Sequence, residues 1–236
     1  MEQILSPNFN NRPKDTVINT IIIHFTEVDK QKTIKIFQDQ AKEVSSHYLI
    51  DKMGAITQFV APDKRAWHAG VSYWKGNNNL NNNSIGIELE NNGKEKFTEM
   101  QYASLIEQIK KLKELYPSIK DELILGHSDI APQRKQDPGK YFKWEVLNKN
   151  NIGIYLNRDI KNNNLIAKKG DEGEEVISLQ KSLDEFGYDV SIDGIYGKKT
   201  QNVVRNFKTH FCRKKIDDIW DEYSSNVIKE LLLRSS

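Results

Sequence analysis

A single cysteine, Cys212, in 236 residues excludes an internal disulfide framework and a metal site built of several thiolates. No apolar run approaches the ~20 residues needed to span a bilayer. The opening MEQILSPNFNNRPKD lacks the basic start and apolar core of a secretory signal. Neither sign of charge dominates: 35 basic residues stand against 33 acidic ones, a formal net charge of +2. That balance excludes a nucleic-acid binder working by counterion release. The chain also lacks the HExxH helix of many zinc peptidases. A soluble, cytoplasmic protein is expected, with the cell envelope or secretion by a non-classical route as the alternative. Nothing in the sequence indicates an oligomeric state.

Two apolar runs each deliver a histidine. In Val17–Thr26, VINTIIIHFT, three consecutive isoleucines read as a strand covered on both faces, with His24 at its carboxyl end. Open α/β sheets place ligands at that end. In Leu123–Gly139, LILGHSDIAPQRKQDPG, a second short strand over Leu123–Leu125 leads to His127, and Asp137 follows past a loop marked by Pro132 and Pro138. Two imidazoles and one carboxylate suit a catalytic zinc, because three protein ligands leave the fourth tetrahedral position open.

The remaining segments suggest an α/β fold, a mixed central sheet flanked by helices. Thr33 can cap a short helix that aligns Ile34, Phe37 and Ala41. His47–Asp51 and Ile56–Val60 read as a hairpin. Lys64–Gly70, KRAWHAG, fits no period, and Asn77–Ser84, NNNLNNNS, reads as a loop unable to bury apolar area. Ser84–Glu90, SIGIELE, alternates Ile85, Ile87 and Leu89 with Gly86, Glu88 and Glu90, so both glutamates share a strand face. Thr98 and Gln101 form a capping box for a helix over Thr98–Leu115. Residues 1–150 thus form the main domain, 151–164 a polar connector, and 165–236 a small three-helix domain. Helical spacing there carries Val176, Leu179, Leu183 and Phe186, then Val203, Val204, Phe207 and Phe211, then Val227, Ile228, Leu231 and Leu232.

In order, IIIHFT, SSHYLIDKMG, RAWHAGVSYW, SIGIELEN and GHSDIAPQRKQDPG make residues 17–140 resemble the zinc-dependent N-acetylmuramoyl-L-alanine amidases of the AmpD and AmiD type. Residues 165–233 resemble a peptidoglycan-binding repeat domain, through KKGDEGEEVISLQKSL, FGY and DGIYG. The resemblance implies one Zn²⁺ per chain held by His24, His127 and Asp137, with Glu88 as general base and Lys135 stabilising the oxyanion. It implies hydrolysis of the amide joining N-acetylmuramic acid, or its 1,6-anhydro form, to L-alanine in peptidoglycan or muropeptides, for cell-wall turnover or recycling.

Glu90 competes with Glu88 for the base. His68 and His47 are expected behind the ligands or along a substrate groove. Trp67 either stacks on sugar or packs the core. The alternative function is a non-catalytic peptidoglycan-recognition protein, which has no reason to keep a full ligand set with Glu88 and Lys135. Truncation after residue 160 is expected to leave activity on soluble muropeptide and to weaken polymer binding, so residues 1–160 should act alone.

Overall fold

The computed structural model describes residues 1–160 and 163–235. Its strands are β1 (Glu2–Gln3), β2 (Phe9–Asn11), β3 (Thr20–Phe25), β4 (Tyr48–Ile50), β5 (Ile56–Gln58), β6 (Lys64–Ala66), β7 (Ser84–Leu89), β8 (Ile124–Gly126), β9 (Leu165–Ala167) and β10 (Trp220–Asp221). Its α-helices are α1 (Lys30–Gln38), α2 (Glu99–Leu115), α3 (His127–Ile130), α4 (Trp144–Asn148), α5 (Glu174–Phe186), α6 (Lys198–Phe211) and α7 (Glu222–Ser235). Six strands make one sheet in the order β1-β5-β4-β7-β3-β8. The β4–β5 hairpin is antiparallel and the other pairings are parallel, which makes the sheet mixed, as expected.

Alternation along β3 and β7 sorts side chains onto two faces. Ile21, Ile23, Ile85 and Ile87 join a buried cluster with Tyr102, Leu105, Ile109 and Leu112 of α2. Thr98 caps α2 through the expected box: the Gln101 amide donates to Thr98 Oγ1 at 3.1 Å, and the Thr98 amide donates to Gln101 Oε1 at 3.0 Å. The other face carries Thr20, Ile22 and His24 on β3 and Ser84, Gly86 and Glu88 on β7, and the polar groups of that face build the site.

The helix expected to start at Thr33 starts at Lys30 instead. Asp29 is its cap, accepting from the Lys32 amide at 2.9 Å, while the Thr33 hydroxyl donates to the Asp29 carbonyl. Ala41 falls outside it, exposed in a separate 3-10 turn, Gln40–Lys42.

The C-terminal helices share a core with the sheet. Ile22, Ala69, Trp74, Leu125 and Ile130 belong to one buried cluster with Leu183, Phe186, Tyr188 and Phe207. Within the segment read as a connector, Ile152 and Leu156 are buried, and residues 161 and 162 lie outside the described residues. The β9–β10 pair, which no periodicity marked, ties residue 165 to the start of α7. Among the described residues no helix is long and apolar enough to cross a membrane.

Candidate metal centre and active site

Strand register assembles the site. His24 is the register partner of Glu88 across β3–β7, so the two side chains share a face. Ile23 pairs with Gly126 of β8, which puts His127, the first residue of α3, beside the end of β3. A turn in which the Lys135 amide donates to the Ala131 carbonyl at 3.0 Å brings the chain back. Asp137 is secured when its carbonyl accepts from the Ser128 amide at 2.8 Å.

His24 Nδ1, His127 Nδ1 and Asp137 Oδ2 lie 3.0 Å from one another, and all three residues are buried. A tetrahedral zinc with ligand bonds near 2.0–2.1 Å sets its donors roughly 3.3 Å apart, a few tenths of an ångström wider. The protonation pattern fits a cation. His127 Nε2 is 3.1 Å from the Ala69 carbonyl, which can only accept, so the proton of the neutral ring sits on Nε2 and Nδ1 presents a lone pair. Burial, then the neighbouring His127, pushes the His24 pKa down to about 4, so the His24 ring favours its neutral form. Burial pushes Asp137 up, but the two imidazoles outweigh it and hold the carboxyl below the usual range. Two imidazole nitrogens and a carboxylate oxygen thus converge, a donor set that suits a zinc ion.

These three residues open with His68, Glu88 and Lys135 on one cavity of about 180 Å³. Glu88 Oε2 is buried without a hydrogen-bond partner. Burial, followed by Asp137, raises the Glu88 pKa well above its ordinary value, and Lys135 opposes the rise. Glu90 is placed differently. Its Oε1 accepts from the Lys30 amide at 3.0 Å and its Oε2 from the Lys52 amide at 3.1 Å, so both oxygens serve the backbone.

His47 stands behind the cavity, its ring 5.5 Å from that of His68. Its Nδ1 accepts from the Gly86 amide at 3.0 Å, its Nε2 lies 3.1 Å from the Lys64 carbonyl, and it does not line the cavity. Trp67 does not line it either; its indole N–H donates to Asn10 Oδ1 at 3.2 Å. Sequence reasoning missed Asn81, Ser84 and Arg134, which stand behind the ligands and carried no motif signal of their own.

Fold and site define the class: an α/β protein with a buried His–His–Asp donor set and a free carboxylate opposite, the arrangement of a metal-dependent hydrolase. Residues 13–140 match the family model described as N-acetylmuramoyl-L-alanine amidase, and residues 172–230 match a peptidoglycan binding domain model. The N-acetylmuramoyl-L-alanine amidase AmiD of Escherichia coli is 36% identical over 210 residues, covering 82% of this chain and 75% of the relative. The 1,6-anhydro-N-acetylmuramyl-L-alanine amidase AmpD of Haemophilus influenzae is 39% identical over 161 residues, 61% of this chain and 88% of the relative. The solved structure of E. coli AmiD with anhydro-N-acetylmuramic acid-L-Ala-D-gamma-Glu-L-Lys superposes with a TM-score of 0.81 at 30% identity, covering 95% of this chain and 93% of that one. The chain belongs to the N-acetylmuramoyl-L-alanine amidase family, and it is an amidase of the AmpD/AmiD kind with a peptidoglycan-binding domain.

Proposed function

We propose that the chain holds one Zn²⁺ on His24, His127 and Asp137 and hydrolyses the amide between the lactyl group of N-acetylmuramic acid, plain or 1,6-anhydro, and L-alanine. Residues 165–236 serve as the part that holds the polymer. Zinc bound by these donors supplies a water of lowered pKa and a Lewis acid toward the scissile carbonyl. Glu88 takes the proton of the attacking water and delivers it to the departing amine of L-alanine. Burial raises its pKa above the ordinary carboxylate range, the direction that favours its holding a proton between the two transfers, and its buried oxygen has no other partner to give up. Lys135, on the same cavity, offsets the negative charge of the tetrahedral intermediate.

The observation that carries this reading is the convergence of three lone-pair donors on the cavity that also holds the unpartnered Glu88 oxygen. The test is metal analysis of the purified protein, with mass spectrometry of products from defined anhydro and non-anhydro muropeptides. Close to one zinc per chain and release of an intact stem peptide beginning with L-alanine are expected. Cleavage between two amino acids, or full turnover without metal, would overturn the proposal.

A further inference from the structure

Once Nδ1 of each histidine is given to a cation, the donors and acceptors behind the rings follow; Arg134 Nη2, 3.4 Å from His127 Nε2, is turned to the Ala69 and Val71 carbonyls. His24 must present the Nδ1 lone pair to a cation, so its proton lies on Nε2, 3.0 Å from His68 Nδ1. His68 Nδ1 therefore accepts, and His68 carries its own proton on Nε2, 3.3 Å from Ser84 Oγ. The Ser84 hydroxyl proton is already donated to the Leu80 carbonyl, so Ser84 can accept. The next residue along, Ala69, supplies the carbonyl that receives the His127 Nε2 proton. One dipeptide therefore faces the outer nitrogens of both ring ligands.

That dipeptide is clamped from the asparagine-rich loop. Asn81 Oδ1 accepts from the His68 amide at 3.0 Å and from the Ala69 amide at 2.7 Å, and Asn81 is buried. Gly86 leaves room for the His68 ring, since a Cβ at 86 would lie 2.5 Å from His68 Cγ. Arg134 holds the following turn: its Nε and Nη2 donate to the Val71 carbonyl at 3.0 and 2.7 Å, and Nη2 also donates to the Ala69 carbonyl.

We propose that His68 and Ala69 together fix the tautomers of both histidine ligands, and that Asn81 is the positioning residue that holds the pair in place. The inference deepens the zinc reading above and rests on it. Outer partners of this kind set ligand orientation and basicity, and losing one costs roughly 10–100-fold in metal affinity. An asparagine that merely completed a loop would leave the imidazole protons where they are.

The test uses the full chain and the variants Asn81→Ala, Asn81→Asp, His68→Leu and His68→Asn. Zinc affinity is measured by competition with a chromophoric chelator, and ¹⁵N NMR of the imidazoles reports the tautomers of His24 and His127 in the metal-free protein. Asn81→Ala and His68→Leu are expected to weaken zinc binding 10–100-fold and to mix the tautomers. Asn81→Asp keeps the accepting oxygen and His68→Asn puts an amide oxygen in place of the accepting ring nitrogen, so both are expected to stay within roughly threefold of the parent. Unchanged affinity and unchanged tautomers in Asn81→Ala and His68→Leu would overturn the inference, as would equal losses in Asn81→Asp and Asn81→Ala. Absence of zinc binding by the parent would instead sink the metal reading itself.

Discussion

The phenol of Tyr188 donates to Asp129 at 2.8 Å, joining the C-terminal helices to a carboxylate two residues from His127. Asp129 is fully buried and its other oxygen accepts from the Gly126 amide and from His210 Nδ1, each at 2.7 Å. His210 stacks on Trp144 with ring centroids 3.6 Å apart. One carboxylate thus caps α3, which carries the proposed metal ligand His127, and anchors residues from beyond position 165.

Removing everything after residue 160 is therefore expected to cost more than polymer binding. It would expose Trp74, Ile130 and Leu125 and leave Asp129 without two of its donors. The expectation that residues 1–160 act alone gives way to one of aggregation or a broad, non-cooperative melt. A fragment melting cooperatively within a few degrees of the full chain would restore it. Tyr188→Phe offers a milder probe. Loss of one hydrogen bond to a buried carboxylate should lower unfolding stability by about 1.5–3 kcal/mol in urea titrations.

Glu88 on β7 and Glu90 just past its end should answer mutation differently. Glu88→Gln is expected to lower turnover by ~10²-fold or more with zinc retained, because it removes proton transfer and leaves the ligands in place. Glu90→Ala strips an acceptor from the Lys30 and Lys52 amides. It should lower the melting temperature and leave kcat within a few-fold. Reversed outcomes in steady-state assays would transfer the base to Glu90.

The sheet face and the grouping of His24, His127 and Asp137 were legible because their signals are local. Ile21–Ile23 marked a covered strand, SIGIELE declared its own alternation, and Thr98 with Gln101 marked a helix start that formed as written. Whether Glu88 or Glu90 stood free was not legible, since strand period puts both on one face and only the α1 terminus and the β4–β5 turn claim Glu90. Asn81 hid in a run that composition reads as solvated loop, and its role shows only once its side chain is seen against the His68 and Ala69 amides. Asp129 and Tyr188 belong to segments that each looked self-sufficient, so their shared core could not be seen from either alone.

Zinc should stabilise the fold as well as enable turnover, because it binds donors that meet only in the native chain. At free zinc about 100 times Kd the gain is about 2.7 kcal/mol, which for a chain of this size is roughly a 5–10 °C rise in melting temperature. Calorimetry of chelator-treated protein with and without added zinc checks this. Superimposable melts would rule out binding at a native site.

Acid should destabilise the protein through a histidine that touches no metal ligand. Burial, followed by the nearby Arg12 guanidinium, pushes the His47 pKa down to about 3. The geometry gives the reason: Nδ1 accepts from the Gly86 amide, so a proton there would confront another donor, and Arg12 Nη2 lies 3.2 Å from Nε2. A folded pKa below the unfolded ~6.5 means the unfolded chain binds the extra proton first. The contribution of His47 is therefore complete above pH 6.5 and is lost as pH falls toward 3. Between pH 7 and 4.5 the loss should be about 2–3 kcal/mol. His47→Asn keeps an acceptor for the Gly86 amide but cannot titrate, so its stability difference between those two pH values should shrink by that amount in parallel denaturant titrations. An undiminished difference would show that the proton goes elsewhere.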